Sequence, residues 1–193
     1  KKLLGSDAES FFKSYDAERK FGLRVNPLKQ KSGEMPEEGE PLGDYLKGLA
    51  RVPWAEEGFY YEADMRPGRH PFHEAGAYYI QEPSAMSVAE ALSPKPGEQI
   101  LDLCAAPGGK STHLAPGGKS TQIGAAMQGK GILVCNEIHP ARAKILSQNI
   151  ERLGVENAVV TNMDPFRLAP EFPEFFDGIV VDAPCSGEGM FRK

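Results

Sequence analysis

The sequence is poor in the residues that would build a metal or disulfide framework. Among 193 residues there are three cysteines, Cys104, Cys135 and Cys185, and four histidines. An odd number of thiols without paired spacing excludes a disulfide scaffold and the usual zinc patterns, and no metal site is expected. Long apolar runs are missing too. No stretch approaches the roughly 20 residues of a membrane helix, and the first residues carry no signal-peptide pattern, so a reduced, cytoplasmic setting is expected. A net positive charge is also lacking. With 22 Lys and Arg against 27 Asp and Glu the balance is −5, which argues mildly against a general affinity for polyanions. The charge is uneven, however: residues 1–31 hold eight basic and four acidic side chains, and residues 32–64 hold two and nine. A basic surface outside the acidic stretch is compatible with the sum.

What is present suffices for one good-sized domain and a smaller one. Residues 3–21 carry apolar side chains at helical spacing, with Ser6 as a cap, and read as one amphipathic helix. Residues 21–25 alternate as a short strand, 28–41 read as a solvated connection, and 42–49 as a short helix. Residues 51–61 look like two strands around a Glu56-Glu57-Gly58 turn. Their aromatics, Trp54, Phe59, Tyr60 and Tyr61, could stack on bases but read first as core. Arg66, Arg69, His70 and His73 follow in a loop suited to phosphate contact rather than to zinc. After an extended piece and a helix over 78–92, strands alternate with helices. The expected organisation is a small α+β domain over residues 1–70, with possible RNA contact, and an α/β domain over 71–193.

The second domain is organised around residues 99–110, QILDLCAAPGGK, an apolar run ending in proline and two glycines. A buried strand, a tight loop and a helix start are what this pattern predicts, and open α/β sheets hold ligands at such places. It is not a nucleotide-triphosphate loop. That pattern requires glycine six residues before the lysine, where Lys110 has Cys104 and Lys119 has His113. Gly124 to Lys130 has the glycines, but Gly131 replaces the magnesium-binding Ser or Thr. The dinucleotide fingerprint is absent as well.

Three more strands are predicted over 131–137, 158–161 and 176–181, with a helix from His139-Pro140 to Leu153, stopped by Gly154 and turning Ala143, Leu146 and Ile150 inward. Helical connections imply a mostly parallel sheet, whose carboxyl ends face one crevice. Glu137 then sits where an acid meets ribose hydroxyls, and Asp164 where an adenine amino group could be accepted. A nucleoside without pyrophosphate is the implied ligand, and S-adenosylmethionine fits that description. Capping is the plain alternative for Glu137 and Asp164, ordering of a Pro-Cys turn for Asp182, and packing for Cys104 and Cys135. Arg142 and Lys144 read as a solvated face.

The segments DLCAAPGGKST (102–112), CNEIHPARAKIL (135–146) and VVDAPCSGEGMFRK (180–193) closely resemble the Sun (Fmu-like) family of RNA cytosine-5 methyltransferases. LRVNPLK (23–29) and YYIQEPSAMSV (78–88) are similar to that family's N-terminal signatures. The resemblance implies a Rossmann-like methyltransferase fold lacking its last strands here, S-adenosylmethionine as cofactor, and RNA, most simply ribosomal RNA with tRNA as the alternative, as substrate of a monomeric enzyme. It assigns Cys104, Ala105, Ala106, Pro107, Gly108, Gly109 and Lys110 to the methionine part of the cofactor, Glu137 to the ribose and Asp164 to the adenine. Asp182 is placed between cofactor and target base, and Cys185 assists release. The chemistry requires a thiolate that adds to C6 so that C5 becomes nucleophilic, and a base flipped out of its stack. The family's attacking cysteine lies in a later motif, beyond Lys193, so the chain reads as the front part of such an enzyme.

One departure is internal. APGGKSTHL (106–114) is followed directly by APGGKSTQI (115–123), where the family has one copy. The copy adjoining the strand, ending at Lys110, is the expected cofactor loop, with the second as alternative. A non-catalytic cofactor- or RNA-binding module is the competing function, and a protein or small-molecule methyltransferase a weaker third.

Overall fold

The computed structural model describes residues 3–31, 33–105 and 117–183. Two sheets organise them. In the smaller, β1 (Phe21–Val25) is flanked by antiparallel β2 (Gly58–Tyr61) and β3 (Tyr78–Ile80). Alternation along β1 sends Leu23 and Val25 into a cluster with Leu42, Leu46, Phe59 and Tyr78, as period-2 patterning dictates. Leu42 and Leu46 come from α2 (Pro41–Leu46).

Three local expectations are corrected. The first helix is only α1 (Ala8–Lys13), with 3-10 turns on either side, and Ser6 makes no cap. Six residues are far below the length at which a helix persists without packing. Phe11 and Phe12 are 42 % and 49 % exposed, and Phe11 packs edge-on against both Phe12 and Tyr15, so the apolar spacing serves local ring contacts. The second correction is at 51–57, where one isolated bridge, Arg51 to Phe59, replaces a strand, because Pro53 cannot donate to a ladder. Trp54 is the third: it is 44 % exposed, with its indole N–H on the Pro83 carbonyl at 2.8 Å, whereas Phe59 is core. The loop read at Arg66 to His73 is folded into short 3-10 turns and α3 (Pro71–Glu74), with His70 Nδ1 accepting from the Phe72 amide at 3.2 Å.

The larger sheet is wholly parallel. Its strands β4 (Gln99–Asp102), β5 (Ile132–Asn136), β6 (Ala158–Thr161) and β7 (Gly178–Val180) lie in the order β6-β5-β4-β7. Helices α4 (Pro83–Leu92), α5 (Gly118–Ala126), α6 (Pro140–Leu153) and α7 (Pro165–Leu168) connect or precede them. α6 begins with Pro140 and ends at Gly154 with φ +74°, and it buries Ala143, Leu146 and Ile150 as its periodicity predicts. Leu146 and Ile150 join Ile100, Ile123, Met127, Leu133 and Cys135 in the main core. Seven consecutive residues of α5, Lys119 to Ala125, are buried, so this helix is packed all round. This is a Rossmann-like parallel sheet preceded by an antiparallel one.

Candidate active site

Parallel pairing sets the ends of all four strands side by side. Asp102 is in register with Cys135 on one neighbour and Val180 on the other, and Asn136 with Thr161. One row therefore presents Asp102, Glu137, Asp164 and Asp182, the last three just beyond their strands. Four acids thus gather at the edge where open parallel α/β sheets form their crevice, with Asp102 and Glu137 buried there.

Glu137 is 3 % exposed. Its Oε1 accepts from the His139 amide at 2.8 Å and lies 3.0 Å from Arg142 Nη2. Burial of a carboxylate is tolerable only with such partners. Arg142, read as a solvated residue, is thus corrected to a partner of Glu137, while Lys144 is exposed. The pair spans the β5–α6 junction, and its only sequence signal was a cation five residues after an acid.

Asp164 caps α7: Oδ1 accepts from the Phe166 amide at 2.8 Å. The capping alternative is therefore realised, which fixes the carboxylate at the edge of the crevice. Asp182 is 56 % exposed, and its Oδ2 lies 2.6 Å from Nζ of Lys119, a side chain only 6 % exposed. Asp102 is fully buried; Oδ2 accepts from Ser120 Oγ at 2.8 Å, and Oδ1 has no hydrogen bond of standard geometry. Burial raises the pKa of Asp102, and Lys119, Ser120 and the Cys104 amide oppose the shift.

Cys104 follows the last residue of β4 by two positions and is partly buried. Its thiol is pushed up by burial and then by Asp102, Glu137 and Asp182, with Lys119 acting the other way. Such a group stays protonated near neutrality and is a poor nucleophile. Cys135 is fully buried and its pKa is raised, chiefly by desolvation, so this thiol is packed, whereas Cys104 is only partly buried. Ala105 is held by its amide on the Asn136 carbonyl at 2.9 Å. Ala106, Pro107, Gly108, Gly109, Lys110 and Cys185 lie outside the described residues.

Asn136 escaped the sequence reading. Its Nδ2 donates to Met163 O at 3.0 Å and Leu103 O at 3.4 Å, and its Oδ1 accepts from Thr161 Oγ1 at 2.9 Å and the Met163 amide at 3.1 Å. One buried amide thereby ties together the loops after three strands. A polar residue closing an apolar strand was the available signal. Among the described residues no group of three or more His, Cys, Asp or Glu could hold a metal ion, and no helix is long and apolar enough to cross a membrane.

Two family models match the chain. The N-terminal domain of 16S rRNA methyltransferase RsmF matches residues 1–83, and 16S rRNA methyltransferase RsmB/F matches 89–115 and 114–193. The break in the second match falls inside the tandem repeat. A ribosomal RNA small subunit methyltransferase F from Vibrio parahaemolyticus is 38 % identical over 190 residues, covering 96 % of the chain, and one from Vibrio vulnificus is 45 % identical over 150, covering 75 %. The chain spans 37 % and 30 % of the lengths of those relatives. A crystal structure of a methyltransferase homologue from Pyrococcus horikoshii superposes with a TM-score of 0.76 at 31 % identity, covering 98 % of this chain and 58 % of that one.

Proposed function

We propose, on the premise that the chain belongs to the 16S rRNA methyltransferase RsmB/F family, that it forms the cofactor half of an enzyme that methylates C5 of a cytosine in small-subunit ribosomal RNA. The single observation that carries this reading is the ion pair of Lys119 with Asp182 at 2.6 Å, beside the buried Asp102 and Glu137 at the carboxyl edge of the sheet. S-adenosylmethionine, when bound, supplies the methyl group. The residues fit it: a sulfonium cation is favoured beside carboxylates, and a buried acid steadied by Arg142 suits a ribose diol.

Each residue then has a task. Glu137 orients the ribose, Asp164 takes the adenine amino group, and Cys104 and Ala105, with the glycine turn at the head of α5, hold the methionine part. Asp182, tethered by Lys119, stands between cofactor and base. Cys104 and Cys135 are protonated and do not attack, which leaves that step to a cysteine elsewhere in the whole enzyme, with Cys185 assisting release. The reading includes a cytoplasmic, monomeric enzyme, with RNA also met by the small N-terminal domain.

Transfer of labelled methyl groups to small-subunit RNA by the full-length protein tests this reading. Asp182→Ala is expected to lower the rate by about 100-fold or more, in line with loss of a preorganised charged group. An unchanged rate would overturn the assignment of Asp182.

A further inference from the structure

We propose that Lys119, in the second copy of the repeated nonapeptide, is the lysine that positions Asp182, and that the first copy is dispensable for the site. The inference rests on the methyl-transfer reading given above and concerns which copy serves it.

The copies share seven residues, APGGKST, so their own sequence cannot choose between them. The surroundings of α5 can. If the chain were shifted by nine residues, residues 109–117 would occupy the helix and Gly118 would take the place of Met127. Gly-Lys-Ser-Thr would recur in the first turn, and everything after it would fail. His113 would replace Gln122, whose Nε2 donates to Met86 O and Glu90 Oε1 and whose Oε1 accepts from Gln81 Nε2, each at 3.1 Å. Two ring nitrogens cannot serve three partners. Ala115 would replace Gly124, where a Cβ falls 2.3 Å from Val155 Cγ1. Pro116 would replace Ala125 inside the helix, with no N–H to give and a clash with the preceding turn. Gly118 would replace Met127, which is 0 % exposed, and leave a void in the core.

Four separate faults, spread around the helix, hold the second copy at the head of α5. Its glycines fit there as well: Gly117 has φ +102°, and a Cβ on Gly118 would come 3.0 Å from the Tyr79 ring. Thr121 Oγ1 accepts from Arg24 at 3.0 Å, and Ser120 holds Asp102. The same turn delivers Lys119 Nζ to Asp182 at 2.6 Å. A nearly buried ammonium anchored on a half-exposed carboxylate restricts where that carboxylate can point. Lys119 therefore acts through Asp182 as a positioning residue.

The test uses the 193-residue chain with Lys119→Met, Lys119→Arg, Lys110→Met and Asp182→Asn, each titrated calorimetrically with S-adenosylmethionine and melted. Lys119→Met is expected to weaken binding by at least about tenfold, as for a severed close charge pair. Lys119→Arg should recover most of the loss, and Lys110→Met should stay within about twofold of the parent, as for a residue outside the network. In the Asp182→Asn background Lys119→Met should add nothing further, a coupling that a purely structural lysine would not produce. Loss of binding with Lys110→Met and not with Lys119→Met, or equal losses with both, would overturn the proposal. Should the parent chain itself fail to bind, the cofactor reading fails, and melting still decides the copy. A lower melting temperature for Lys119→Met alone upholds it, and identical melting of the two Met variants overturns it.

Discussion

Nη2 of Arg24 and Oγ1 of Thr121, 97 residues apart in the chain, meet at 3.0 Å, and Nε of the same guanidinium donates to Gln81 Oε1 at 2.9 Å. These bonds run from the central strand of the smaller sheet to β3's end and to α5, so the helix under the site is braced by the N-terminal sheet. Arg24 is 1 % exposed, and burial lowers its pKa to about 10, with Glu57, Tyr79 and Glu90 acting against the shift. It stays charged at neutral pH. A folded-state pKa below the unfolded one means that the buried charge costs stability at neutral pH and that the cost is relieved only as pH rises above about 10.

Arg24→Ala is expected to lower unfolding stability by about 3 kcal/mol, since Gln81 and Thr121 lose their donor inside the core. Arg24→Met should cost less, because it fills the space without a charge to desolvate. Urea unfolding followed by circular dichroism gives both values, and equal stability of the Ala variant and the parent would contradict the bracing role.

Gly124 carries a second prediction. A Cβ there would lie 2.3 Å from Cγ1 and 3.2 Å from Cγ2 of Val155, and a β-branched neighbour cannot rotate away freely. Gly124→Ala should destabilise by about 1–3 kcal/mol although alanine is the better helix former by about 1 kcal/mol. Adding Val155→Ala should recover part of the loss, so the double-mutant cycle is expected to show a favourable coupling.

His73 predicts a pH dependence. Burial, and then Arg152, lower its pKa below the usual 6.5, with Glu74 opposing. The unfolded chain therefore binds this proton more readily than the folded one. Stability contributed by the neutral imidazole is present above pH 6.5 and is lost as pH falls from there toward the lowered folded value. His73→Gln should flatten the difference in urea midpoint between about pH 7 and 5, measured against the parent in the same buffers.

The second half of the chain was largely legible. β5 and α6 follow from an apolar run, a proline at the helix start and Gly154 at its end, and parallel topology alone places acids at the strand ends in one crevice. The polar core was not legible. Arg24, Gln81 and Gln122 stand in stretches that read as strand or helix, and their meaning depends on partners far away in sequence. The Arg142 pairing was not legible either, because a helix surface pattern cannot reveal an acid held in the preceding loop. α1 failed for the opposite reason: its apolar spacing is real, but Phe11, Phe12 and Tyr15 satisfy one another and need no core.

The central claim is that the carboxyl edge of the parallel sheet holds S-adenosylmethionine through Glu137. Its most direct test is calorimetric titration of this chain with S-adenosylmethionine, repeated with Glu137→Gln and Arg142→Met. Saturable one-to-one binding, weakened about 10- to 100-fold by Glu137→Gln and about tenfold by Arg142→Met, is the predicted result, matching about 1.4–2.8 kcal/mol for a charge-assisted bond. Binding of equal strength in the parent and in Glu137→Gln, with all chains folded, would contradict it.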